Sequence, residues 1–223
     1  MFEQERNDVA HACRRLAADG LVIGTAGNVS ARAGENEVAV SPTGAVLGEL
    51  EPEDVTVVDM EGEVVAGDLE PTSELDLHLG VYRRYDAGAV VHTHAPMATA
   101  LSCVLDELPC VHYQMLLLGG AVPVARYATF GTAELANSVL DALEGRSAAL
   151  MANHGAITHA GDVHAAVELS LLLEWACTVY WRAAAIGSPR TLDEDQRQAV
   201  VSAALERGYG STKPVEPGTK GDG

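Results

Sequence analysis

A strand that ends in two histidines constrains the fold of this chain more than any other feature. The apolar run 87–91 leads directly into His92, Thr93 and His94. Because side chains alternate along a strand with a period of two, the two imidazoles are expected on the same face. Two neutral imidazole nitrogens on one rigid strand are a good beginning for a divalent metal site, and zinc is the first candidate.

A third histidine further along the chain extends this hypothesis. His154 lies between Asn153 and Gly155, directly after another β-like run at 147–151. The glycine permits a close approach of a neighbouring backbone. Together with the first two histidines it would form a three-histidine set, which leaves one position on the ion for a carboxylate, a water or a substrate.

The remaining pattern predicts a layered α/β fold. Hairpin-like neighbouring strands alternate with helices, which is an α+β pattern locally and a three-layer α/β/α arrangement overall, with a mainly antiparallel central sheet. We expect one domain over residues 1–209 and a flexible polar tail over 210–223. Strands are expected near 37–41, 55–59, 63–65, 87–94, 121–125 and 147–151, and helices near 3–19, 71–85, 95–102, 132–143, 162–186 and 193–206.

Two glycine-containing turns and one helix start are candidates for binding an anion. The segments 24–30 and 41–44 combine glycine with small hydroxyl and amide side chains, although both patterns also occur in ordinary turns. The segment 71–74, Pro-Thr-Ser-Glu, predicts a helix N-terminus in which Thr72 or Ser73 is the N-cap. Free N–H groups there bind anions, and Glu74 is placed to reach a metal or to act as a base. We interpret His78, one turn later, as a helix-surface residue.

Charge and cysteine usage limit the partners of the chain. A net charge of −18 argues against nucleic acid or an anionic membrane surface. The N-terminus lacks the apolar core of a signal peptide, and no uninterrupted apolar run is long enough to span a membrane. The four cysteines have no CxxC spacing and are interpreted as buried, reduced thiols, which places the protein in the cytoplasm.

Taken together, the motifs resemble those of the class II aldolase/adducin family, and within it the bacterial L-fuculose-1-phosphate aldolases. The resemblance spans roughly residues 5–210. The motifs that carry it are Gly24-Thr25-x-Gly-Asn28-x-Ser30, Ser41-Pro-Thr43-Gly44, Pro71-Thr72-Ser73-Glu74, His92-x-His94, His112-Tyr113, Tyr127-Ala-Thr-Phe130-Gly-Thr132 and Asn153-His154-Gly155. The resemblance implies a zinc-dependent lyase that acts on a small phosphorylated sugar. It also implies a homotetramer with active sites between neighbouring subunits.

Matched by position, the resemblance assigns a role to each candidate residue. His92, His94 and His154 correspond to the zinc ligands, and Glu74 corresponds to the acid/base carboxylate, which can also bind the metal. Tyr113 corresponds to a tyrosine that reaches the active site of an adjacent subunit. Phe130 and Tyr209 correspond to residues that shape the aldehyde end of the site. The residues that correspond to the phosphate cradle are Gly27, Asn28, Thr43, Gly44, Thr72 and Ser73.

Several activities remain open on this evidence. L-ribulose-5-phosphate 4-epimerases resemble the chain but usually carry Asp where Glu74 stands, and methylthioribulose-1-phosphate dehydratases place a catalytic Glu near Gln114. An adducin-like interaction module would lack the three histidines, and a generic zinc hydrolase would cleave an ester or amide. We therefore favour an aldolase that cleaves L-fuculose 1-phosphate, or a related deoxyketose 1-phosphate, to dihydroxyacetone phosphate and a small aldehyde such as lactaldehyde.

Overall fold

The fold is known from a computed structural model, which describes residues 2–207. The chain forms two compact units, of which the first ends at Thr191 and the second begins at Leu192. The first unit contains the strands β1 Asn28–Arg32, β2 Glu37–Val40, β3 Thr56–Asp59, β4 Val64–Ala66, β5 Ala89–Thr93, β6 Glu107–Leu108, β7 Val122–Ala125, β8 Ala148–Met151 and β9 Gly155–Ala160. Its helices are α1 Glu3–Ala18, α2 Leu75–Arg84, α3 Pro96–Ser102, α4 Ala133–Ala142 and α5 Val163–Ile186, and it has short 3-10 helices at Leu47–Glu49, Pro52–Asp54 and Tyr113–Leu118. In the second unit, helix α6 spans Glu194–Arg207.

The nine strands form one sheet in the order β4-β3-β2-β1-β5-β9-β8-β7-β6. Neighbouring strands are antiparallel, except that β7 and β8 run parallel. The strand that ends in the two histidines, β5, is central and pairs with β1 on one side and β9 on the other. The predicted, mainly antiparallel sheet is therefore confirmed.

Helices cover both faces of the sheet. Helices α2 and α4 share a hydrophobic core with Val90 and Ile157, which lie on neighbouring strands. The next residue on β9, Thr158, faces the other way, and its hydroxyl donates a hydrogen bond to the carbonyl of Ala166 in α5. Helix α5 also packs against α1 and α3. This arrangement confirms the predicted layers of helix, sheet and helix.

Helix α2 begins later than its sequence pattern predicts. The first residue of the helix is Leu75, and Glu74 occupies the N-cap position without a side-chain cap. The carbonyl of Thr72 accepts from the N–H of Leu75, and the Thr72 hydroxyl accepts from the N–H of Glu74. The prediction that Thr72 or Ser73 is the N-cap is wrong, because Thr72 forms a turn before the helix instead. Glu74 is thereby placed at the junction between this turn and the helix.

One other expectation, which concerns the cysteines, needs correction. Cys13, Cys110 and Cys177 are buried as predicted, but Cys103 is exposed because it follows the last turn of α3 at the surface. Helix α5 is also long and apolar enough to cross a membrane by length and composition alone. Its apolar composition has a structural reason, because the helix packs against β5 and β9 and buries Val167 and Leu173.

Candidate active site

The histidines come together where the end of β5 meets the turn between β8 and β9. His92 is buried in the last part of β5, and His94 follows directly after this strand. His154 lies in the tight turn between β8 and β9, where Met151 pairs with Gly155. The three rings pack edge to face, with centroids 4.8 to 4.9 Å apart. One ligand nitrogen from each ring lies within 4.8 Å of the others, so the predicted convergence is present.

Two glycines permit this convergence. A Cβ atom on Gly155 would lie 2.2 Å from the carbonyl oxygen of Thr93, so β9 can approach β5 beside His92 only with glycine at this position. A Cβ atom on Gly27 would lie 2.9 Å from the carbonyl oxygen of His92, and the φ of Gly27 is +95°. In the same turn as His154, Asn153 adopts a φ of 55°, a left-handed conformation that asparagine tolerates better than most residues.

The backbone fixes the tautomer of His92. Its Nδ1 lies 3.0 Å from the carbonyl oxygen of Ala156, which can only accept a hydrogen bond. The Nδ1 atom therefore carries the proton, and the lone pair is on Nε2. That lone pair points toward the other members of the cluster, 3.0 Å from Nε2 of His94.

The Glu74 carboxylate lies against the same cluster. Its Oε2 atom is 3.2 Å from Nε2 of His92, and its Oε1 atom is 3.6 Å from Nε2 of His154. The side chain is only 7% exposed. Asn28 Nδ2 donates to Oε2 over 3.0 Å, whereas Oε1 is buried without a hydrogen-bond partner among the described residues. An unpaired buried carboxylate oxygen is costly, which indicates that this atom is built to meet a positive charge.

Burial and mutual proximity shift the ionisation of these groups in a consistent direction. Burial lowers the pKa of His92 to about 4, and the Glu74 carboxylate opposes this only in part. Burial, together with the nearby His154, also lowers the pKa of His94. Burial alone would raise the pKa of Glu74, but the His92 ring and the Asn28 amide outweigh it and hold this pKa below its usual value. Near neutral pH the site therefore presents neutral His92 and His94 beside an ionised carboxylate.

This set of groups fits a divalent cation. Imidazole lone pairs and carboxylate oxygens converge on one small volume, where they would repel one another unless a positive charge lay between them. Histidine nitrogen and carboxylate oxygen are common ligands of zinc, and three histidines with one further position form an open catalytic type of site. His92 also donates from its second nitrogen to a backbone carbonyl, as metal-binding histidines almost always do.

A cleft of about 290 Å³ opens beside the cluster. His94, His154 and Glu74 contribute to its wall. Every residue that the resemblance assigned to the phosphate cradle also lines it. These residues are Gly27, Asn28, Thr43, Gly44, Thr72 and Ser73. The two turns and the start of α2, which are far apart in sequence, therefore meet on one cavity.

The three aromatic candidates have different positions. Phe130 lines the cleft and is 66% exposed, so one side of its ring is open to solvent. Tyr113 lies in the 3-10 helix Tyr113–Leu118 and is not among the described residues that line the cleft of its own chain. Tyr209 lies outside the described residues. Tyr127 and Thr25 also line the cleft and belong to the motifs quoted above, but the family resemblance assigns no role to either residue.

One prediction near the site is wrong. His78 is not a surface residue, since its side chain is fully buried between α2 and β1. Its Nδ1 lies 2.6 Å from the hydroxyl of Ser30 and its Nε2 lies 2.5 Å from Oδ1 of Asn28. The spacing of four residues from Glu74 was the available signal, because residues four apart share a helix face.

Comparisons with known proteins agree with this geometry. A family model described as the Class II Aldolase and Adducin N-terminal domain matches residues 7–181. The chain is 37% identical over 212 residues to a 5-deoxy-D-ribulose 1-phosphate aldolase from Bacillus thuringiensis serovar kurstaki, which covers 94% of this chain and 99% of that protein. It is 38% identical over 214 residues to a 5-methylthioribulose-1-phosphate/5-deoxyribulose-1-phosphate aldolase from Rhodospirillum rubrum, which covers 95% of this chain and 96% of that protein. A solved structure of an L-fuculose 1-phosphate aldolase superposes with a TM-score of 0.86, at 33% identity over 91% of this chain and 96% of that chain.

Proposed function

The chain belongs to the class II aldolase and adducin N-terminal domain family, and we propose that it is a zinc-dependent aldolase that cleaves a ketose 1-phosphate to dihydroxyacetone phosphate and a small aldehyde. Its relatives are named as aldolases, and the chain is accordingly an aldehyde lyase of this family. The zinc ion, the individual substrate and the roles of the residues are the parts that we propose.

The observation that carries the proposal is the position of Glu74. A single ionised carboxylate lies 3.2 Å and 3.6 Å from the nitrogens of two converging histidines, on the wall of a cleft that also contains the predicted cradle. A hydrolase needs only an activated water, whereas cleavage of a carbon–carbon bond needs a base or acid beside a site that stabilises a carbanion. The carboxylate and the cluster provide both within one cavity.

The reaction sets three requirements, two of which we assign to side chains of this protein and the third to a metal ion that its histidines would hold. When the C3–C4 bond of the ketose breaks, the C4 hydroxyl loses its proton and becomes the aldehyde carbonyl, and the bonding electrons remain on the C3 side as an enediolate. A proton is then added to C3 to give dihydroxyacetone phosphate. We assign the proton transfer at C3 to Glu74 and the proton transfer at the C4 oxygen to a phenol, Tyr113 of a neighbouring subunit. His92, His94 and His154 would hold the zinc ion, which would supply Lewis-acid stabilisation of the negative charge that develops in this reaction.

The cradle suits a phosphate without adding basic side chains. Residues of the two turns, together with Thr72, Ser73 and Glu74 before helix α2, line the cleft and bring backbone N–H groups and hydroxyls to its wall. Such groups bind phosphate through oriented dipoles, which is compatible with a chain of net charge −18. The phosphate would then lie at one end of the cleft and the aldehyde portion toward Phe130.

The substrate is proposed within a narrow class. Two relatives are named for 5-deoxyribulose 1-phosphate, and one structural neighbour is named for L-fuculose 1-phosphate. The two ketoses carry the same phosphate end and differ at the other end, which we assign to the part of the cleft wall formed by Phe130 and Tyr127. We include both in the proposal. We also propose that the protein is a cytoplasmic homotetramer in which Tyr113 completes the active site of an adjacent subunit. We further propose that Tyr209 contributes to the aldehyde end of the site.

The test is a substrate panel with the zinc-loaded protein. L-fuculose 1-phosphate, 5-deoxyribulose 1-phosphate, 5-methylthioribulose 1-phosphate and L-ribulose 5-phosphate are incubated separately, and dihydroxyacetone phosphate is detected by a coupled reductase. The proposal predicts release from at least one ketose 1-phosphate. Epimerisation of L-ribulose 5-phosphate without any cleavage, or dehydration of the methylthio sugar, would assign the chain to a different activity. A monomeric mass in solution would contradict the role of Tyr113.

A further inference from the structure

A buried row of polar residues lies behind the candidate site, between α2 and β1. On the helix, Glu74, His78 and Tyr82 are spaced four residues apart, and on the strand Asn28 and Ser30 are spaced two apart. All five side chains are buried. Residues four apart in a helix are separated by about 6 Å along its axis, and residues two apart in a strand by about 6.6 Å. The two rows therefore stay in step, and each strand residue lies between two helix residues.

Hydrogen bonds connect the five side chains in an unbroken series. Asn28 contacts Glu74 over 3.0 Å and His78 over 2.5 Å. Ser30 contacts His78 over 2.6 Å and Tyr82 over 2.8 Å. Asn28 and Ser30 pair with His92 and Val90 across the sheet, and cross-strand partners share a face. Because Val90 packs in the core that contains α2 residues, Asn28 and Ser30 face this helix as well. We call these five residues the α2–β1 polar row.

The carboxylate at one end fixes the direction of the hydrogen bonds along the polar row. An ionised carboxylate only accepts hydrogen bonds, so the group of Asn28 that faces Glu74 is its NH2, and its carbonyl oxygen faces His78. The Nε2 atom of His78 must then carry the proton. Full burial lowers the pKa of His78 to about 3, so the ring is neutral and its Nδ1 accepts from the hydroxyl of Ser30. Ser30 in turn accepts from the hydroxyl of Tyr82.

The Asn28 amide is the point at which this direction matters for Glu74. A rotation of the amide by half a turn would place its oxygen against the carboxylate, and two oxygens that both only accept would repel each other. Nothing in the shape of the amide prevents this rotation, because its nitrogen and oxygen are nearly equal in size. The proton on Nε2 of His78 does prevent it, because a rotated amide would direct its own N–H at the N–H of His78, and two donors cannot form a hydrogen bond.

We propose that His78 is a positioning residue for Glu74, and that its Nε2–H selects the Asn28 amide orientation that holds the carboxylate against His92. His78 does not line the cleft, and its side chain is connected to the Glu74 carboxylate by hydrogen bonds through Asn28. The proposal concerns the same site as the proposed lyase activity, and its kinetic test rests on that activity. Its spectroscopic test does not.

The kinetic test compares three substitutions. His78→Phe keeps a flat ring of similar shape but removes both nitrogens, whereas His78→Gln keeps an N–H donor within reach of Asn28. Tyr82→Phe removes only the hydroxyl at the far end of the polar row. We expect His78→Phe to lower kcat about 10- to 100-fold, because a small displacement of a catalytic group has an effect of this size. We expect unchanged zinc content and little change in KM, with most of kcat restored in His78→Gln and nearly all of it retained in Tyr82→Phe.

The spectroscopic test uses the wild-type protein with 15N-labelled histidine, without substrate. Two-bond proton–nitrogen spectra distinguish a ring protonated on Nε2 from one protonated on Nδ1, and the signal of His78 is identified by its loss in His78→Gln. The proposal predicts a neutral ring protonated on Nε2 across neutral pH. A ring protonated on Nδ1 would overturn it, even if His78→Phe fails to fold. Equal losses of kcat in His78→Phe and His78→Gln would also overturn it, because a merely structural role would not distinguish the donor. If no ketose phosphate is cleaved, the proposed activity fails while the ring protonation still decides this inference.

Discussion

His92 and His78 are both fully buried histidines on the same side of the sheet, but their surroundings differ in one respect. Each ring is neutral, with a pKa lowered by burial to about 4 for His92 and about 3 for His78. Both nitrogens of His78 are satisfied by neighbouring side chains. His92 has one nitrogen satisfied by a carbonyl, and the other faces His94 and Glu74, which also bring lone pairs.

This difference separates the histidine that we propose to position Glu74 from the histidine that we propose to bind the metal. A ring whose hydrogen bonds are complete needs no further partner and can only orient what it touches. A ring whose lone pair meets other lone pairs requires a cation to relieve the repulsion. The two roles can be tested separately, because substitutions on the His92 side should change metal content and those on the His78 side should not.

The largest effect is expected when a member of the histidine cluster is removed. His94→Ala should lose the metal and lower kcat/KM at least about 1000-fold, since charge stabilisation by a metal ion is worth several kcal/mol. Metal content by elemental analysis and release of dihydroxyacetone phosphate are measured on the same sample. The control is His164→Ala, which changes an exposed histidine on α5. Full activity in His94→Ala would remove this residue from the site.

A smaller loss is expected when the charge of Glu74 is removed but its shape is kept. Glu74→Gln should lower kcat about 100- to 1000-fold, the size typical of a lost general acid or base. Zinc content should be retained, because the three histidines remain. Glu61→Gln, an exposed change on the adjoining β3–β4 turn, is the matched control. Turnover close to the wild-type rate in Glu74→Gln would show that another group transfers the proton at C3.

Zinc should also stabilise the fold through the same cluster. At a free zinc concentration of 100 times Kd, binding to the folded state alone adds about 2.7 kcal/mol to the free energy of unfolding. Thermal unfolding with and without a chelator measures this difference. The stabilisation should vanish in His94→Ala and persist in His78→Gln. An equal loss in both variants would contradict the distinction between the two regions.

The smallest expected effect is a pH-dependent change in the free energy of unfolding that comes from His78. Its pKa is about 3 in the folded state and about 6.5, the ordinary value for histidine, in the unfolded chain. The unfolded chain therefore binds the extra proton between these pH values. Stability from this residue is therefore present above about pH 6.5 and is lost as the pH falls toward 3. Between pH 6 and pH 4.5 the metal-free wild type should lose about 2 kcal/mol more than His78→Gln. Denaturant unfolding at the two pH values measures this, and parallel losses in both proteins would mean that His78 is protonated in the fold.

The convergence of the histidines could be predicted because each of them lies at or just after the end of a recognisable strand. His92 and His94 end an apolar run, and His154 follows another, so strand ends in one sheet predict their convergence. Tyr113 could not be located in the same way, since its predicted role depends on a neighbouring subunit. The position of Glu74 was predicted only in part, because the pattern fixed its closeness to the helix start but not the turn that places it at the N-cap.

His78 could not be assigned correctly from the sequence for a physical reason. Apolar residues occur all around α2, with Leu75, Leu77, Leu79 and Val81 at alternating positions. The pattern therefore does not say which side of the helix faces the sheet. Only the packing of α2 on β1 shows that the row containing His78 faces inward, where Asn28 meets it.

The most direct test of the account is a zinc titration of the metal-free protein. Bound zinc per chain and the rate of dihydroxyacetone phosphate release from 5-deoxyribulose 1-phosphate and L-fuculose 1-phosphate are followed together. The account predicts that cleavage of at least one ketose rises in proportion to bound zinc and reaches its maximum at one ion per chain. Full cleavage by the metal-free protein, or a fully zinc-loaded protein that cleaves neither sugar, would contradict it.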